Sequence, residues 1–584
     1  MVGCDASQTP LRSSKKFVVT RRILRFTKLL SRADRELFIP PEARATENFL
    51  SVCRKGNPWG TRRAHAHWPV HAPLIPVIPP VTVQELKDSQ YLSSTDKGCF
   101  EYVDNADVYA RCHTFESDQQ RSLLSMNDQL VLTDHGIFET APKGIGSGYV
   151  FDVEEYVKQR RRLVHDTLTP NVMCDEPPNP RFRLTRDLQS LLHKGSYAAT
   201  IDLKACFYQW NLHSDVRKYF SIFTDQGEYL QACRLPMEFK WSVVIAQNLL
   251  KHFAAKAGIP PDEVDLYIDN ILLVGSKDVV IRRKARLLEL FKEAGVTVGD
   301  LTHGPIVDHR GMVMDFENKC VSIRPSFVEK LVERVKVNKG TWAQHRSIIG
   351  SVVYALQILR VPLGCMYHVF KNWARHAATK PTTHVDLWKE SVKQLDAAMT
   401  IIERNEPVSV FRQLPAEAFI VTDACTTNNM LAGVYVYDGY VRWFAHRHEA
   451  DRDIAVLEAL AVDYAVHRWL RPGRTVHLLC DNVVVLVALA KGLSMNFGVN
   501  SVVRDLLGWM HTCGAHMELW YIASQRNCAD PFTREMVFSD GQEHVLHDLA
   551  TISSALLPRA PRRVDLSAAQ LFEGSSLPIK KWER

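Results

Sequence analysis

The stretch DLYIDNILLVG, residues 265–275, decides how the middle of this 584-residue sequence is interpreted. Two hydrophobic runs, residues 266–268 and 271–274, flank the polar pair Asp269-Asn270. One interpretation is a β-hairpin whose strands are joined by a two-residue turn at that pair. The other is a carboxylate held on a rigid turn to bind a metal ion. The stretch alone leaves both open, because a metal site needs a second carboxylate from elsewhere in the chain.

A second acid occurs in SYAATIDLKACFYQWNL, residues 196–212. Residues 197–201 alternate as in a strand that ends at Asp202, which precedes Asp269 by 269 − 202 = 67 residues. An acid at the end of an apolar strand is costly unless water or a cation solvates it. A helix predicted over about residues 243–257 gives the chain room to return the hairpin beside the first strand. Two carboxylates on adjacent strands are suited to hold two Mg²⁺ ions about 3.5–4 Å apart.

Composition and charge set the class of protein. The chain is 46% hydrophobic and 23% charged, which is typical of globular proteins, and its length predicts three or four domains. The net charge of +7 suits a polyanionic partner without demanding one. The 13 cysteines occur singly, without a CxxC motif, which indicates an intracellular, reduced protein of the cytoplasm or nucleus. No apolar run reaches the roughly 20 residues of a membrane span.

Hydrophobic periodicity changes along the chain. Residues 150–320 alternate between predicted strands and helices, and residues 326–375 and 384–405 are strongly helical. A new α/β pattern begins at residue 417 and runs to about 535. Its predicted strands cover residues 418–422, 433–437, 475–480 and 517–522, and its predicted helices cover 455–470, 483–490 and 502–512. A second domain with its own core is therefore expected after residue 416.

Several motifs over residues 160–275 resemble, in order, the fingers and palm of retroelement reverse transcriptases. RRRLVHDTLTPN (160–171) resembles the basic fingers strand, and DLKACFYQ (202–209) resembles the first catalytic motif. RLPMEFKWSVVIAQ (234–247) resembles the loop and helix that bind template and substrate, and YIDN (267–270) stands where the family has Tyr-x-Asp-Asp. Beyond them, GMVMD (311–315) resembles the primer-grip turn, and residues 345–364 resemble the helical thumb.

This resemblance implies a role for each matching residue. The metal ligands would be the catalytic carboxylates Asp202 and Asp269, with Asn270 beside them. The implied substrate-binding residues are Arg161, Arg162, Phe207, Gln247 and Tyr267. The two arginines would hold the incoming triphosphate, and the Phe207 ring would reject a ribose 2′-hydroxyl by steric clash. Taken singly, the arginines fit a solvated strand face and Phe207 fits core packing, so the ordered set is what favours these roles.

Two positions depart from the family pattern. Asn270 replaces the second Asp of the hairpin motif, which keeps an oxygen ligand but removes a negative charge that matters for Mg²⁺. Glu238 stands where the family has Gly, a residue that permits close approach of the backbone to template or nucleotide. These changes leave open a polymerase-inactive relic that still binds nucleic acid, with or without ribonuclease H activity.

The C-terminal third contains a second set of acids. Asp423 ends a predicted strand in IVTDACTT, and Glu458 lies in the predicted helix IAVLEALAVDYAV. Asp481 ends another strand in HLLCDNVVV, and Asp530 follows YIASQRNC. Four acids around one sheet edge repel one another and raise each other's pKa unless metal ions share them.

Their order and spacing resemble ribonuclease H domains of retrotransposons, closest to DIRS-like and VIPER-like elements and next to gypsy-type elements. The resemblance implies that Asp423, Glu458, Asp481 and Asp530 are catalytic ligands of two Mg²⁺ or Mn²⁺ ions. His511 or His516 is the candidate for a loop histidine found in some of these enzymes, with a surface histidine as the alternative.

The expected fold is multidomain, α+β and α/β: a right-hand polymerase followed by a ribonuclease H-like domain. The expected boundaries are an N-terminal region with a proline-rich linker (1–90), an extension and fingers (91–195), the palm (196–325), a helical thumb or connection (326–405), a linker (406–416), the ribonuclease H-like domain (417–540) and a C-terminal tail (541–584). The expected partners are an RNA template, a DNA primer, RNA–DNA hybrids and deoxynucleoside triphosphates.

Overall fold

The computed structural model describes residues 83–115, 121–122, 124–155, 160–180, 182–336, 338, 340–438, 440–534, 544–546 and 562–563. Nearly all of the predicted N-terminal region and most of the predicted C-terminal tail lie outside these residues. The chain divides into two compact units. In the described part, the first unit comprises residues 83–183 and 194–309, and the second comprises residues 184–193 and those from 310 onward.

The helices of both units are numbered here in chain order. They are α1 (Val83–Lys87), α2 (Ser94–Lys97), α3 (Glu101–Asp104), α4 (Met126–Asp134), α5 (Leu168–Met173), α6 (Thr185–Ser190), α7 (Ser214–Arg217), α8 (Ser242–Lys256), α9 (Lys277–Glu293), α10 (Pro325–Lys336), α11 (Trp342–Ile358), α12 (Tyr367–Arg375), α13 (Lys389–Arg404), α14 (Ile454–Trp469), α15 (Val483–Lys491), α16 (Phe497–Cys513) and α17 (Asp530–Arg534). Short 3-10 helices include Leu191–Lys194, Cys206–Gln209 and Ser524–Arg526.

The strands are numbered in the same way. They are β1 (Arg121–Ser122), β2 (Phe138–Thr140), β3 (Tyr149–Glu155), β4 (Arg160–Asp166), β5 (Tyr197–Leu203), β6 (Ser221–Thr224), β7 (Tyr229–Ala232), β8 (Val264–Tyr267), β9 (Asn270–Gly275), β10 (Val298–Gly304), β11 (Ile306–His309), β12 (Met312–Asp315), β13 (Cys320–Ile323), β14 (Val408–Ser409), β15 (Ala418–Cys425), β16 (Met430–Tyr437), β17 (Tyr440–Arg447), β18 (Thr475–Cys480), β19 (His516–Tyr521), β20 (His544–Leu546) and β21 (Arg562–Arg563).

The first unit is built around an antiparallel sheet with the strand order β10-β5-β9-β8. Residues 271–274 of β9 are all buried, so this strand carries a continuous apolar run instead of an alternating one. Helix α9 packs against β5 and β9 with a stripe that includes Val280, Leu287 and Phe291. A second sheet has the order β1-β6-β7-β2, and β3 pairs with β4 as a ribbon. This packing fixes the strands that carry Asp202 and Asp269.

The segment of residues 83–104 packs against α8 and the residues just before it. Tyr102 stacks on Trp241 with ring centroids 4.0 Å apart, and the Ser89 hydroxyl is 2.8 Å from Nδ1 of the buried His252 on α8. Lys251 pairs with Asp96 at 2.9 Å. The segment therefore stabilises the base of α8 through apolar and polar contacts together.

The second unit is organised by a mixed sheet with the described strand order β20-β17-β16-β15-β18-β19-β21. Strands β15, β16 and β17 are antiparallel neighbours, whereas β18 and β19 run parallel to β15. Helix α14 packs on β15 and β16, and its apolar side joins α15 and α16 in one core cluster. Helices α10 to α13 and the antiparallel strands β12, β13 and β14 belong to the same unit.

The multidomain class predicted from the sequence, with α+β and α/β parts, is confirmed. The predicted strand over residues 475–480 matches β18, and the helix predicted over 455–470 matches α14 within one residue. The predicted linker at residues 406–416 contains β14, which pairs with β13. Within the described residues, no helix combines the length and the apolar character needed to cross a membrane.

Candidate active sites

The first candidate site lies at the hairpin formed by β8 and β9. Tyr267 pairs with Asn270, so the two-residue turn consists of Ile268 and Asp269. The hairpin interpretation of the opening stretch is confirmed, but the turn lies one residue earlier than the predicted pair Asp269-Asn270. The shift puts Asp269 in the turn itself and Asn270 on the first residue of the returning strand.

The turn has an unusual backbone that another element stabilises. Ile268 has a φ of 59°, a left-handed conformation that is strained for a β-branched residue. The side chain of Gln247 on α8 accepts a hydrogen bond from Ile268 N at 3.0 Å and donates one to Leu266 O at 2.8 Å. Gln247 is 5% exposed, and both of these hydrogen bonds go to the hairpin backbone. The side chain therefore fixes the turn and positions Asp269.

The register of the sheet brings Asp202 to this turn. Asp202 on β5 pairs with Asn270, and Leu203 N donates to Asp269 O at 2.8 Å. Burial raises the pKa of Asp269, while the hydrogen bond from Asn270 and the charge of Arg162 oppose that rise. Asn270 Nδ2 donates to Asp269 Oδ1 at 2.8 Å. The three side chains therefore bring carboxylate and amide oxygens, the ligand atoms that hard cations prefer, to one end of the sheet.

Gly299 on β10, which the sequence motifs did not single out, leaves room for the side chain of Asp202. A Cβ atom at Gly299 on β10 would lie 3.1 Å from Asp202 Oδ2 and 3.3 Å from Asp202 O. Such contacts are tighter than most, so a side chain at this position would push Asp202 aside by a few tenths of an ångström. The sequence signal was weak, because this glycine lies 97 residues after Asp202 (299 − 202 = 97), on a strand with no motif of its own.

The two predicted substrate arginines have different environments. Arg161 is 5% exposed, and its guanidinium binds the two carboxylate oxygens of Asp128 at 2.7 and 2.9 Å and that of Asp152 at 3.3 Å. These bonds occupy its charged groups, so the predicted triphosphate contact does not fit Arg161. Arg162 is exposed on the same strand, and its charge lowers the pKa of Asp269. Arg162 is thus the arginine whose charge acts on the site.

The remaining residues of the first site lie around the hairpin and its neighbouring turn. Phe207 lies in the 3-10 turn after Asp202, which begins behind the left-handed residue Ala205, and its ring is partly buried. The Tyr267 ring contacts Phe182 with centroids 4.7 Å apart. Glu238 is exposed, and its backbone oxygen accepts a hydrogen bond from Asn171 at 2.8 Å.

The second candidate site lies at the carboxyl ends of the parallel strands β15 and β18. Their register pairs Val421 with Leu479, and two further residues bring Asp423 opposite Asp481. Glu458 enters from α14, and Asp530 begins α17, which contacts β15. All four acids that the spacing singled out therefore converge on one sheet edge.

Burial destabilises the ionised forms of two of these acids, Asp423 and Glu458. The pKa of Glu458 is raised to about 9, first by burial and then by the charges of Asp481 and Asp423. Burial also raises the pKa of Asp423 to about 6, and Asp481 and Asp530 again contribute. Without a cation, Glu458 is protonated at neutral pH. A divalent cation removes the repulsion and favours the ionised forms, so this donor set fits Mg²⁺.

Neighbouring side chains orient these acids. Asn527 Nδ2 donates to Asp423 Oδ1 at 3.1 Å, and the Thr533 hydroxyl donates to Asp423 Oδ2 at 2.7 Å. Arg534 pairs with Asp530 at 2.7 Å. Asn527 and Thr533 flank Asp530 in the sequence, and this proximity to a candidate ligand is the signal by which they could have been found.

In the part of the chain that the structure describes, one group of side chains meets the spacing expected around a metal ion. Ligand atoms of Glu458, Cys480 and Asp481 lie within 4.8 Å of one another. The Cys480 thiol is buried, and burial raises its pKa well above the ordinary value, so it stays protonated and contributes little to binding a hard cation. The carboxylates therefore define the site.

The predicted loop histidines lie away from these acids. His516 begins β19 and pairs with Thr475, the first residue of β18, whereas Asp481 follows the last residue of that strand. Six residues of a strand span about 20 Å. His511 lies in the last turn of α16, where Nδ1 contacts Arg360. The loop-histidine role predicted for either residue is therefore not supported by its position.

No family model and no curated protein matches this sequence. Among solved structures, the chain is similar to the foamy viral protease-reverse transcriptase dRH in complex with double-stranded DNA, with a TM-score of 0.45, 13% identity, and coverage of 80% of this chain and 84% of that chain. It is also similar to the foamy viral protease-reverse transcriptase in complex with an RNA/DNA hybrid, with a TM-score of 0.44, 12% identity, and coverage of 83% and 67%. The complex of that protein with double-stranded DNA gives a TM-score of 0.44, 14% identity, and coverage of 77% and 98%.

Replacing Gln247 should destabilise the hairpin that carries Asp269. Gln247→Met leaves the Ile268 N–H and the Leu266 carbonyl without their partner, at a cost of about 2–3 kcal/mol in the free energy of unfolding of the first unit. Gln247→Glu keeps the acceptor and should lose less. Urea denaturation of the full chain measures both variants, and a Met variant as stable as the wild type would contradict the positioning role.

The pKa of Glu458 predicts a pH dependence of the second unit. The folded-state pKa of about 9 lies above the ordinary 4.5, so the folded state binds more protons and stability falls as pH rises between these values. In EDTA, Glu458→Gln should be more stable than the wild type by about 3 kcal/mol at pH 7, and the difference should vanish near pH 4.5. Thermal or urea unfolding at several pH values measures this difference. The exposed Glu403→Gln is the control, and equal pH profiles for wild type and Glu458→Gln would disprove the assignment.

Proposed function

We propose that this chain is an RNA-directed and DNA-directed DNA polymerase of a retrotransposon, with ribonuclease H activity in the same chain. The observation that carries the proposal is the convergence of acids 67 residues apart at the β8–β9 turn, together with four acids at the end of the mixed sheet. Each set has the oxygen donors that a two-Mg²⁺ (or Mn²⁺) nucleotidyl transfer or hydrolysis needs. The motif order in the sequence supports the same assignment.

In the polymerase site, Asp202 and Asp269 would hold the metal ions, with Asn270 as a neutral oxygen ligand. Bound ions would supply charge neutralisation for the attacking 3′-hydroxyl and the departing pyrophosphate. Gln247 orients the turn, and Arg162 offers its guanidinium to the triphosphate. Phe207 lies five residues after Asp202, where its ring would exclude a ribose 2′-hydroxyl.

In the ribonuclease H site, Asp423, Glu458, Asp481 and Asp530 would hold two metal ions that activate water and stabilise the leaving oxygen of the RNA strand. Asn527 and Thr533 fix the Asp423 carboxylate through both of its oxygens. Glu458 must lose its proton when a cation binds, since its pKa is about 9 in the absence of metal. Ion binding at this site therefore releases a proton below that pH.

A second candidate function is a polymerase-inactive relic that binds nucleic acid and retains at most ribonuclease H activity. The specific observation in its favour is the hydrogen bond from Asn270 to Asp269, which uses a carboxylate oxygen of the expected metal ligand. The exposed Glu238 adds a negative charge beside Tyr208, whose pKa it raises after the larger effect of burial. The hydrogen bond weakens the interaction of Asp269 with a cation, and the negative charge of Glu238 repels phosphate groups.

The proposal also includes the type of element, the domain boundaries and the partners. The motifs TDA, LEALA and CDN support a DIRS-like or VIPER-like element, with a gypsy-type element next. The fingers, palm, thumb and ribonuclease H boundaries follow the sequence segments given above. RNA template, DNA primer, RNA–DNA hybrid and deoxynucleoside triphosphates are the proposed partners, bound mainly through backbone phosphates and duplex shape.

Primer extension on poly(rA)/oligo(dT) with Mg²⁺ or Mn²⁺ tests the polymerase. The wild type should extend the primer, Asp202→Ala should abolish extension, and Asn270→Asp should raise the activity at low Mg²⁺ by adding a ligand charge. Equal extension by wild type and Asp202→Ala would refute the site. If wild type is silent and Asn270→Asp extends, the relic is the correct alternative.

Cleavage of a labelled RNA–DNA hybrid tests the second site separately. Wild type should cut the RNA strand, and Asp481→Asn should reduce cleavage by at least about a hundredfold while primer extension stays intact. Asp463→Asn, a change on the same helix as Glu458 but at a residue outside the four acids, is the matched control. Survival of the hybrid in the presence of wild-type protein and Mg²⁺ would refute the ribonuclease assignment.

A further inference from the structure

A cluster of basic and buried polar side chains, which we call the basic pocket, lies at the amino-terminal ends of β18 and β19, within the second unit. We define it by Arg186 on α6, Arg360 after α11, Thr475 at the start of β18, His511 at the end of α16 and His516 at the start of β19. Six strand residues separate its His516–Thr475 pair from the level of Asp481, about 20 Å along the sheet. The pocket is therefore distinct from the candidate ribonuclease H site.

Arg360 is the centre of the hydrogen bonding in this pocket. Its Nε donates to His511 Nδ1 at 3.3 Å, and its Nη1 donates to the Oε1 of the buried Gln189 at 3.3 Å. Because His511 accepts at Nδ1, a neutral His511 ring carries its proton on Nε2 and can donate from there. Arg360 has a φ of 57°, so the backbone holds a left-handed conformation at the residue that supplies the guanidinium.

Two buried polar atoms of the pocket have no partner among the described residues. They are Nε2 of His516, a residue 5% exposed, and Oγ1 of Thr475, a residue 3% exposed. These residues are direct neighbours across the parallel pair β18–β19. A buried donor or acceptor without a partner destabilises the fold, so two of them side by side indicate that a polar group can bind there.

Most of the charges around these atoms are positive. The pKa of His511 is lowered to about 4, first by burial and then by the charges of Arg360 and Arg186. The pKa of His516 is also lowered to about 4, first by burial and then by Arg186, Arg360, His511 and His193. Burial and the charge of Arg186 together lower the pKa of Arg360 to about 10. Asp187, next to Arg186 in sequence, is the one acid among the charges acting on these groups in the described residues.

We propose that this pocket binds a phosphate-type oxyanion between Arg186, Arg360 and the unpartnered atoms of His516 and Thr475. Guanidinium groups bind tetrahedral oxyanions through paired N–H bonds, and a hydroxyl and neutral imidazoles add donors at the buried end. The anion offsets the mutual repulsion of the two arginines. The phosphate group comes either from free phosphate or from a nucleic-acid backbone. The proposal does not depend on the enzymatic function proposed above, since a chain without either activity would still bind phosphate.

Titration of the full chain with inorganic phosphate in EDTA, at constant ionic strength with NaCl as the reference anion, tests the pocket. Calorimetry should give one phosphate per chain, and Arg186→Gln and Arg360→Gln should each weaken binding by about ten- to a hundredfold. If Arg360→Gln fails to fold, Arg186→Gln still tests the pocket, because Arg186 is exposed and its replacement should leave the fold intact. Arg404→Gln, an exposed arginine at the end of α13, is the matched control and should bind as wild type does.

The imidazole signals provide an independent readout. In chloride, NMR titration of ¹³C-labelled histidine should give pKa values of about 4 for His511 and His516. Saturating phosphate should raise both by about one unit, because an anion favours the protonated ring. His511→Gln and His516→Gln assign the signals. If phosphate and chloride give the same binding heats and the same histidine titrations, the proposal is overturned.

A short RNA–DNA hybrid with 5′-hydroxyl ends separates the two sources of phosphate. Added in EDTA, it should shift the same histidine signals and compete with inorganic phosphate if the pocket takes a backbone phosphate. Shifts with inorganic phosphate alone assign the pocket to a free phosphate. Absence of both responses contradicts the proposal, whatever the outcome of the polymerase and nuclease assays.

Discussion

The two candidate sites depend on one constraint, which is that a buried carboxylate is tolerated only when a proton or a cation shares its charge. Burial raises the pKa of Asp269, of Asp423 to about 6 and of Glu458 to about 9. An unpaired buried charge costs several kcal/mol, more than most single contacts contribute. The folded chain can keep these acids in place because each can take up a proton when no metal ion is bound.

Sheet register is what gathers the acids. An antiparallel pairing aligns Asp202 with Asn270, although the helices α7 and α8 and the strands β6, β7 and β8 lie between them in sequence. A parallel pairing brings Asp423 to the level of Asp481, and the helix between β17 and β18 delivers Glu458 to the same edge. A slip of one residue in either register would turn the acid to the other face of the sheet. The apolar cores that fix these registers are therefore part of the chemistry.

Much of the fold and of the second site could be predicted from sequence, because periodicity and strand ends are local signals. The strand over residues 475–480 and the four acids of the second site are examples. The hairpin turn was predicted one residue late, since turn preferences favour Asp-Asn whereas the actual turn is held by Gln247, 21 residues before Ile268. Likewise, a basic strand pattern cannot reveal that Arg161 is bound by Asp128, 33 residues away on α4. Contacts of this kind depend on tertiary packing, which local patterns do not encode.

The two candidate sites differ in the number of negative charges, and this number determines how strongly each attracts a divalent cation. The second site gathers four acids, whereas Asp202 and Asp269 share the first site with the neutral Asn270. Fewer ligand charges weaken the attraction for a hard divalent cation, and the hydrogen bond from Asn270 already satisfies one oxygen of Asp269. The positive charge of Arg162 opposes the rise that burial causes in the pKa of Asp269, but it also repels a metal ion. The first candidate site would therefore rely on the phosphates of a bound substrate for the missing negative charge, while the second candidate site can bind metal ions through its own side chains.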